Sequence, residues 1–157
     1  MNCESTLFEA DFVTGLCEIF EQRICFNQLL GLKIDSLEAE GVAGHIPMRG
    51  ELLGHYAHDR LHGGVISATL DAMGGLAVMA AIGARHMQEP VAARLARFGK
   101  LGTIDLRVDY LRQAIGSRFI AKANVQRLGS RVASTRMEFL DTDGRLLSTG
   151  AAAYIVS

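Results

Sequence analysis

Proline occurs only twice in this sequence of 157 residues and cysteine three times, and neither sign of charge dominates, with 16 Lys and Arg against 17 Asp and Glu. A formal net charge of −1 argues against nucleic acid or an anionic membrane as the main partner. Cys3, Cys17 and Cys25 form an odd, unevenly spaced set. That pattern is neither a disulfide framework nor a zinc site, so free thiols in a reducing compartment are expected. The opening "MNCESTLFEADF" has acid where a signal peptide needs a basic start and an apolar run. The longest apolar stretch, around residues 72–82, falls short of the ~20 residues that span a bilayer. Together these absences predict a soluble, cytoplasmic protein without a membrane partner. Internal repeats, linkers and low-complexity segments are also missing. So are a phosphate-cradling glycine loop, a Cys–His nucleophile pair and a G-x-S-x-G elbow.

What is present is an ordinary globular balance, 49% hydrophobic and 21% charged, at a length that suits one domain over residues 1–157. Residues 9–30 read as an amphipathic helix. Phe12, Leu16, Ile19, Phe20 and Ile24 recur at helical spacing, Glu18, Glu21, Gln22 and Arg23 fill most of the other face, and Gly31 is the stop. Leu32–Glu40 and Val42–Met48, parted by Gly41, suit a hairpin. Residues 49–60 show no clean period and read as a loop. From Gly63 to about His86, only Ser67, Thr69, Asp71 and Arg85 interrupt an apolar run, which predicts a helix buried on most of its surface. Residues 87–100 read as a turn followed by a short helix or loop.

The last third changes period. In 103–111, Ile104, Leu106, Val108 and Tyr110 alternate with Thr103, Asp105, Arg107 and Asp109. Strands are also expected over 117–127, 131–140 and 145–156, with connections short enough for antiparallel neighbours. The order is helix, hairpin, long buried helix, then antiparallel strands. A curved antiparallel sheet is the available wrapping for such a helix, giving an α+β architecture with one central helix.

Two features of "LHGGVISATLDAMGG" (61–75) carry chemical interest. Gly63 and Gly64 stand where a helix begins. Backbone N–H groups there lack intrahelical partners and carry partial positive charge, so they could polarise a carbonyl; equally, the pair could let the helix start close against a strand. Asp71 sits within the apolar helix. It could be a structural carboxylate bonded to Ser67 one turn away, or a general base or nucleophile in a partly apolar site. Eight residues of helix separate Gly63 from Asp71, a rise of about 12 Å. The two therefore meet at one carbonyl most simply if each comes from a different copy of a symmetric dimer.

"LHGGVISATLDAMGG" followed by "LGTIDLRVDYLR" (101–112) resembles the acyl-CoA thioesterases of the hotdog fold, in their PaaI-like branch and, within it, the bacterial YigI-type proteins. The resemblance runs over essentially the whole chain. It rests on His-Gly-Gly with an aspartate nine residues after the histidine, and on a strand of the form T-x-D-x-x-V-x-Y-L-R. It implies a curved sheet around the central helix and hydrolysis of an acyl-CoA, medium- to long-chain, to free acid and CoA. No cofactor is implied beyond CoA as part of the substrate. The implied assembly is a homo-oligomer with sites at a dimer interface, as a dimer or a dimer of dimers. By position, the Gly63 N–H would polarise the thioester carbonyl, and Asp71 of the other subunit would activate water or attack directly. Thr103 would help to hold the water, and His62 would shape the site, with Gly64 beside it. Tyr56 stands where relatives often carry Asn or Gln, and "YLRQ" replaces the usual Y-L-R-P ending.

Other features are weighed and set aside. His55, His58 and His62 have a spacing that could ligate a metal, but in this company they read as loop histidines. "DTDG" (141–144) reads as a hairpin turn rather than a calcium loop. Among Arg94, Arg97, Lys100, Arg107 and Arg112, which read mainly as solvated surface, Arg97 and Lys100 are the candidates for the CoA phosphates. A hotdog dehydratase would want a His and an acidic residue in a different pattern, and a non-catalytic acyl-CoA binding protein would leave Asp71 structural. A sensor of that kind would usually carry a DNA-binding appendage, and the N-terminal segment is too short and acidic for one.

Overall fold

In the computed structural model, which describes residues 3–157, a six-stranded antiparallel sheet wraps one long helix. Met1 and Asn2, which the sequence reading assigns to the same domain, lie outside the described residues. Chain order is α1 (Ala10–Glu18), a π-helical turn (Ile19–Arg23), α2 (Cys25–Leu30), β1 (Lys33–Leu37) and β2 (Val42–Pro47). Then follow β3 (Leu53–His55), β4 (Arg60–Leu61), α3 (Gly63–Arg85) and α4 (Val91–Ala96). The last four elements are β5 (Gly102–Tyr110), β6 (Arg118–Leu128), β7 (Val132–Leu140) and β8 (Leu146–Ile155). The large sheet runs β1-β2-β6-β7-β8-β5.

Helix α3 is apolar around most of its circumference, and Leu70, Met73, Leu76, Val78, Met79 and Ala80 are fully buried. By length and composition it could cross a membrane, more than the run at 72–82 suggests, yet two-thirds of its apolar window is buried inside the protein. Side chains on alternate positions of the sheet meet it. Ala121, Ala123, Ala133 and Ala152 are buried there and let the helix lie close. Bulges at Ile34/Ser36, Thr103/Asp105, Val125/Arg127 and Phe139/Leu140 bend the strands, since an extra residue on one side of a ladder kinks it and adds twist.

Three sequence expectations need correction. The segment 9–30 is not one helix. It widens to a π-turn at Ile19–Arg23 and breaks at Ile24, whose backbone is extended, before α2 resumes. Side chains compensate for the break. Asn27 Nδ2 donates to the Phe20 carbonyl at 3.0 Å. Glu21, expected on the polar face, is buried and accepts from Ile34 N–H at 2.8 Å and Lys33 Nζ at 3.1 Å. Gly31 caps α2 with φ +70°, as the glycine stop predicts. Next, residues 49–60 are not a plain loop but contain a small hairpin of β3 and β4, turned by Tyr56–Asp59. Finally, the alternation of β5 fails at its ends: Ile104 falls in the bulge and is 57% exposed, and Tyr110 is 53% exposed.

Buried polar contacts hold the N-terminal helices against the rest. Arg94, grouped by sequence with the surface cations, is instead 1% exposed. Its guanidinium pairs with Glu9 at 2.5 Å and lies 4.6 Å from the Phe12 ring centroid, and hydrogen bonding to Arg94 holds the Glu9 carboxyl below its usual range. The fully buried Phe12 ring fits against α3 because residue 83 is glycine; a methyl group there would overlap the ring. Gly83→Ala should gain ~1 kcal/mol in helix propensity and lose more to overpacking, typically 1–3 kcal/mol. The expected result is a net destabilisation of up to about 2 kcal/mol in urea unfolding, relieved when Phe12→Leu is added.

Candidate active site

Helix α3 supplies both chemically notable features of the sequence, at different places along its length. At its start, His62 is the N-cap in extended conformation, and its Nδ1 accepts the Gly64 N–H at 2.8 Å. This assigns the ring proton to Nε2 when the imidazole is neutral. The Gly64 N–H is therefore engaged, whereas that of Gly63 meets no acceptor among the described residues. Tyr110 fixes the Gly63 peptide from the other side by donating its hydroxyl to the Gly63 carbonyl at 2.8 Å. A side chain at 63 would crowd the Tyr110 ring, with a Cβ only 3.3 Å from its edge. Gly63 lines a cleft of about 430 Å³ together with Arg60, Ile66, Tyr110 and Arg112.

Two turns along, Asp71 opens onto a second cleft of about 250 Å³. Thr103 at the start of β5 donates its hydroxyl to Asp71 Oδ1 at 2.9 Å. Tyr154 on β8 lies 3.2 Å from the same oxygen and 2.9 Å from the Asp71 backbone carbonyl. Thr103 thus donates to Oδ1, the single Tyr154 proton is shared between that oxygen and the nearer backbone carbonyl, and Oδ2 takes no hydrogen bond among the described residues. Burial, followed by the charge of Asp71 beside it, pushes the Tyr154 phenol well above its ordinary pKa, so it remains a donor across the physiological range. Ser67 does not serve Asp71; its hydroxyl donates to the Gly64 carbonyl at 3.0 Å.

Tyr154 is the residue that sequence reading missed. Its fit depends on the second glycine pair of residues 61–75, because a methyl group at Gly74 would collide with the Tyr154 hydroxyl. The signal available was a lone tyrosine among small residues in "GAAAYIV", facing a helix with glycine at the matching height. The cleft walls were likewise hidden: Phe20, Ile24, Phe26, Phe98 and Leu101 line the cleft together with Asp71, and three of these come from the broken N-terminal helix.

The remaining candidates lie apart. Tyr56 is 90% exposed in the β3–β4 turn, stacked 6.0 Å from His55, and lines neither cleft. The Arg97 guanidinium binds both Glu89 oxygens at 2.7 and 2.8 Å and lies 3.4 Å from His86 Nδ1. That bonding holds the Glu89 carboxyl below its usual range. Arg97 is thus tied within its own loop, and Lys100 is exposed at the end of the adjoining 3-10 turn. His55 and His58 stack at 4.7 Å, and among the described residues no three His, Cys, Asp or Glu side chains are placed to hold a metal.

This arrangement has relatives. The Thioesterase superfamily family model matches residues 58–148. The medium/long-chain acyl-CoA thioesterase YigI of Salmonella typhimurium is 36% identical, over 88% of this chain and 90% of its own. YigI of Escherichia coli K12 is 34% identical over the same shares. A solved Shewanella oneidensis structure, described as related to the thioesterase superfamily, superposes with a TM-score of 0.89 at 37% identity, covering 98% of this chain and all of that one. A family match over more than half of the sequence, joined to a long helix wrapped by an antiparallel sheet, places the protein: the chain belongs to the thioesterase superfamily and has its hotdog fold.

Proposed function

We propose that this protein hydrolyses medium- to long-chain acyl-CoA thioesters to the free acid and CoA, with Asp71 as the catalytic carboxylate. The observation that carries the reading is the state of that carboxylate. One oxygen accepts from Thr103 with Tyr154 beside it, the other takes no hydrogen bond among the described residues, and Asp71 lines a cleft with largely apolar walls. A fixed carboxylate with one free oxygen can take a proton from water or attack a carbonyl carbon itself. The YigI relatives, named medium/long-chain acyl-CoA thioesterases, support this choice of substrate class and chain length. CoA enters as part of the substrate, and the reaction as written needs no metal or further cofactor.

As general base, Asp71 Oδ2 accepts a proton from water as the water oxygen bonds to the thioester carbon. The carbonyl oxygen becomes an oxyanion, stabilised by the free Gly63 N–H at the positive end of α3. The carbon–sulfur bond then breaks, and the CoA thiolate leaves and takes up a proton. As nucleophile, Asp71 instead forms an anhydride that water opens. Thr103, its proton given to Asp71, keeps lone pairs that can accept a hydrogen from the water. His62 holds the glycine turn through Gly64, and Tyr154 positions the carboxylate.

The reading requires two copies of the chain. Gly63 and Asp71 of one chain line different clefts and are about 12 Å apart along a straight helix. The sheet offers a suitable joint. Its β1 edge is partly covered by a bridge between Glu4 and Ser36, whereas β5 ends the sheet with an unpaired edge among the described residues. Unpaired edges invite pairing with another strand. Two β5 edges related by a two-fold axis would bring α3 of one copy toward α3 of the other, giving two equivalent sites.

Asp71→Asn should lower thiol release from acyl-CoA by about 10²–10⁴-fold while binding of a non-hydrolysable thioether analogue persists; equal rates in wild type and variant would defeat the assignment. Label on the Asp71 carboxylate after single turnover in ¹⁸O-labelled water would establish the anhydride route, since general-base attack places the label only in the free acid. Tyr154→Phe should reduce kcat about tenfold with little change in KM, as removal of a positioning hydrogen bond of ~1–2 kcal/mol would. Gly63→Pro removes the N–H at a helix position that tolerates proline. Mixing Gly63→Pro with Asp71→Asn subunits should recover about one quarter of wild-type activity, because half the random dimers carry one intact site of two. No recovery in verified mixed dimers would rule out a shared site.

A further inference from the structure

The cleft at Asp71 draws its walls from two sources. Asp71, Phe98, Leu101 and Thr103 lie within residues 58–148, the stretch common to the superfamily model. Phe20, Ile24 and Phe26 come from the N-terminal segment outside that stretch. The shared part thus provides the carboxylate and its threonine, and the added part supplies apolar surface directly beside them.

The position of that surface is defined by α3. Gly75 follows Asp71 by four residues on the same face, about 6 Å along the axis. A methyl group at Gly75 would lie 3.4 Å from Leu101 Cδ2 and 3.9 Å from Phe20 Cε1, so these side chains stand over the turn next to the carboxylate. Phe20 is buried and meets Phe98 edge-on, with ring centroids 5.6 Å apart and planes at 71°. The pair is a wall one helical turn from Asp71. At Ile24 the helix breaks, and Phe26 on α2 is left 56% exposed. Phe26 lines the Asp71 cleft and also the adjoining groove at His62 and Gly64. An exposed phenylalanine at the junction of two hollows is placed to touch a ligand.

We propose that the N-terminal helical segment is an acyl-chain selector: the chain of the substrate lies in the Asp71 cleft, with the Phe20–Phe98 pair as its end wall and Phe26 at its rim. This rests on the thioesterase reading above and says which residues set chain length within it. The physical basis is a gradient with a stop. Each methylene buried against apolar walls favours binding by about fourfold. A methylene that reaches the wall must instead displace packed rings, which reverses the gain.

The test measures kcat/KM for a graded series of saturated acyl-CoAs, together with affinities for non-hydrolysable thioether analogues of the same lengths. Phe98→Ala should move both optima to longer chains, with a gain relative to shorter ones of up to about sixteenfold for two added carbons. Phe98→Trp should move them to shorter chains, and Phe26→Ala should weaken the longer chains several-fold relative to the short. Folded variants that keep the wild-type chain-length profile in both measurements overturn the selector. If the Phe98 variants do not fold, Phe26→Ala and Phe26→Trp, at an exposed position, decide it by the same two profiles. The two readings fail separately. A wild-type protein that hydrolyses nothing, but whose analogue affinities follow the substitutions, sinks the thioesterase reading alone. One that hydrolyses acyl-CoA with an immovable profile sinks the selector alone.

Discussion

Helix α3 has almost no face to give to water, and the rest of the molecule is arranged around that constraint. An apolar helix has to be enclosed, and a sheet can enclose one only if it bends and if its inner face is shallow. Bulges in four of the six strands of the large sheet provide the bend, and buried alanines on β6, β7 and β8 provide the shallow face. Within this casing Asp71 is the acidic exception on α3. A carboxylate there needs hydrogen-bond donors, and Thr103 and Tyr154 approach it from the two strands β5 and β8, which pair with each other. The wrapping that buries the helix is also what fixes the carboxylate.

The length of α3 has a second consequence. Its unpaired amide lies at the start and its carboxylate two turns later, so one straight helix cannot present both to a single carbonyl. Within one chain the two groups therefore sit at different clefts along the same rigid element. The strand that carries the threonine bonding Asp71, β5, also ends the sheet with an edge left unpaired among the described residues.

The N-terminal segment shows how an addition to a core is secured. Glu21, Asn27 and Arg94 are buried polar residues, and each ties the segment to itself or to the body of the fold. Such groups must be paired to be tolerated, and paired they specify one seating of the helices. The break at Ile24 is part of that seating, with the carbonyl of Phe20 taken by Asn27. The same seating places Phe20 and Phe26 along the cleft that Asp71 lines.

Patterns that act over a few residues were legible in the sequence: the central helix from its apolar run, the β1–β2 hairpin from Gly41, the four later strands from their alternation and turns, and the glycine start with its aspartate. The helical rise alone was enough to separate Gly63 from Asp71. The sequence could not show which donors would reach the carboxylate. Tyr154 is 83 residues from Asp71, and only the antiparallel order of β5 and β8 brings it there. Ser67, the neighbour on the same helix, turned instead to its own backbone because a serine hydroxyl readily bonds a carbonyl one turn back. Arg94 and Arg97 look alike in sequence, yet one is buried under Glu9 and Phe12 while the other binds Glu89 at the surface. Local periodicity decides what forms a helix or a strand. Which side chains meet at the site depends on long-range register, and that is settled only when the sheet closes around the helix.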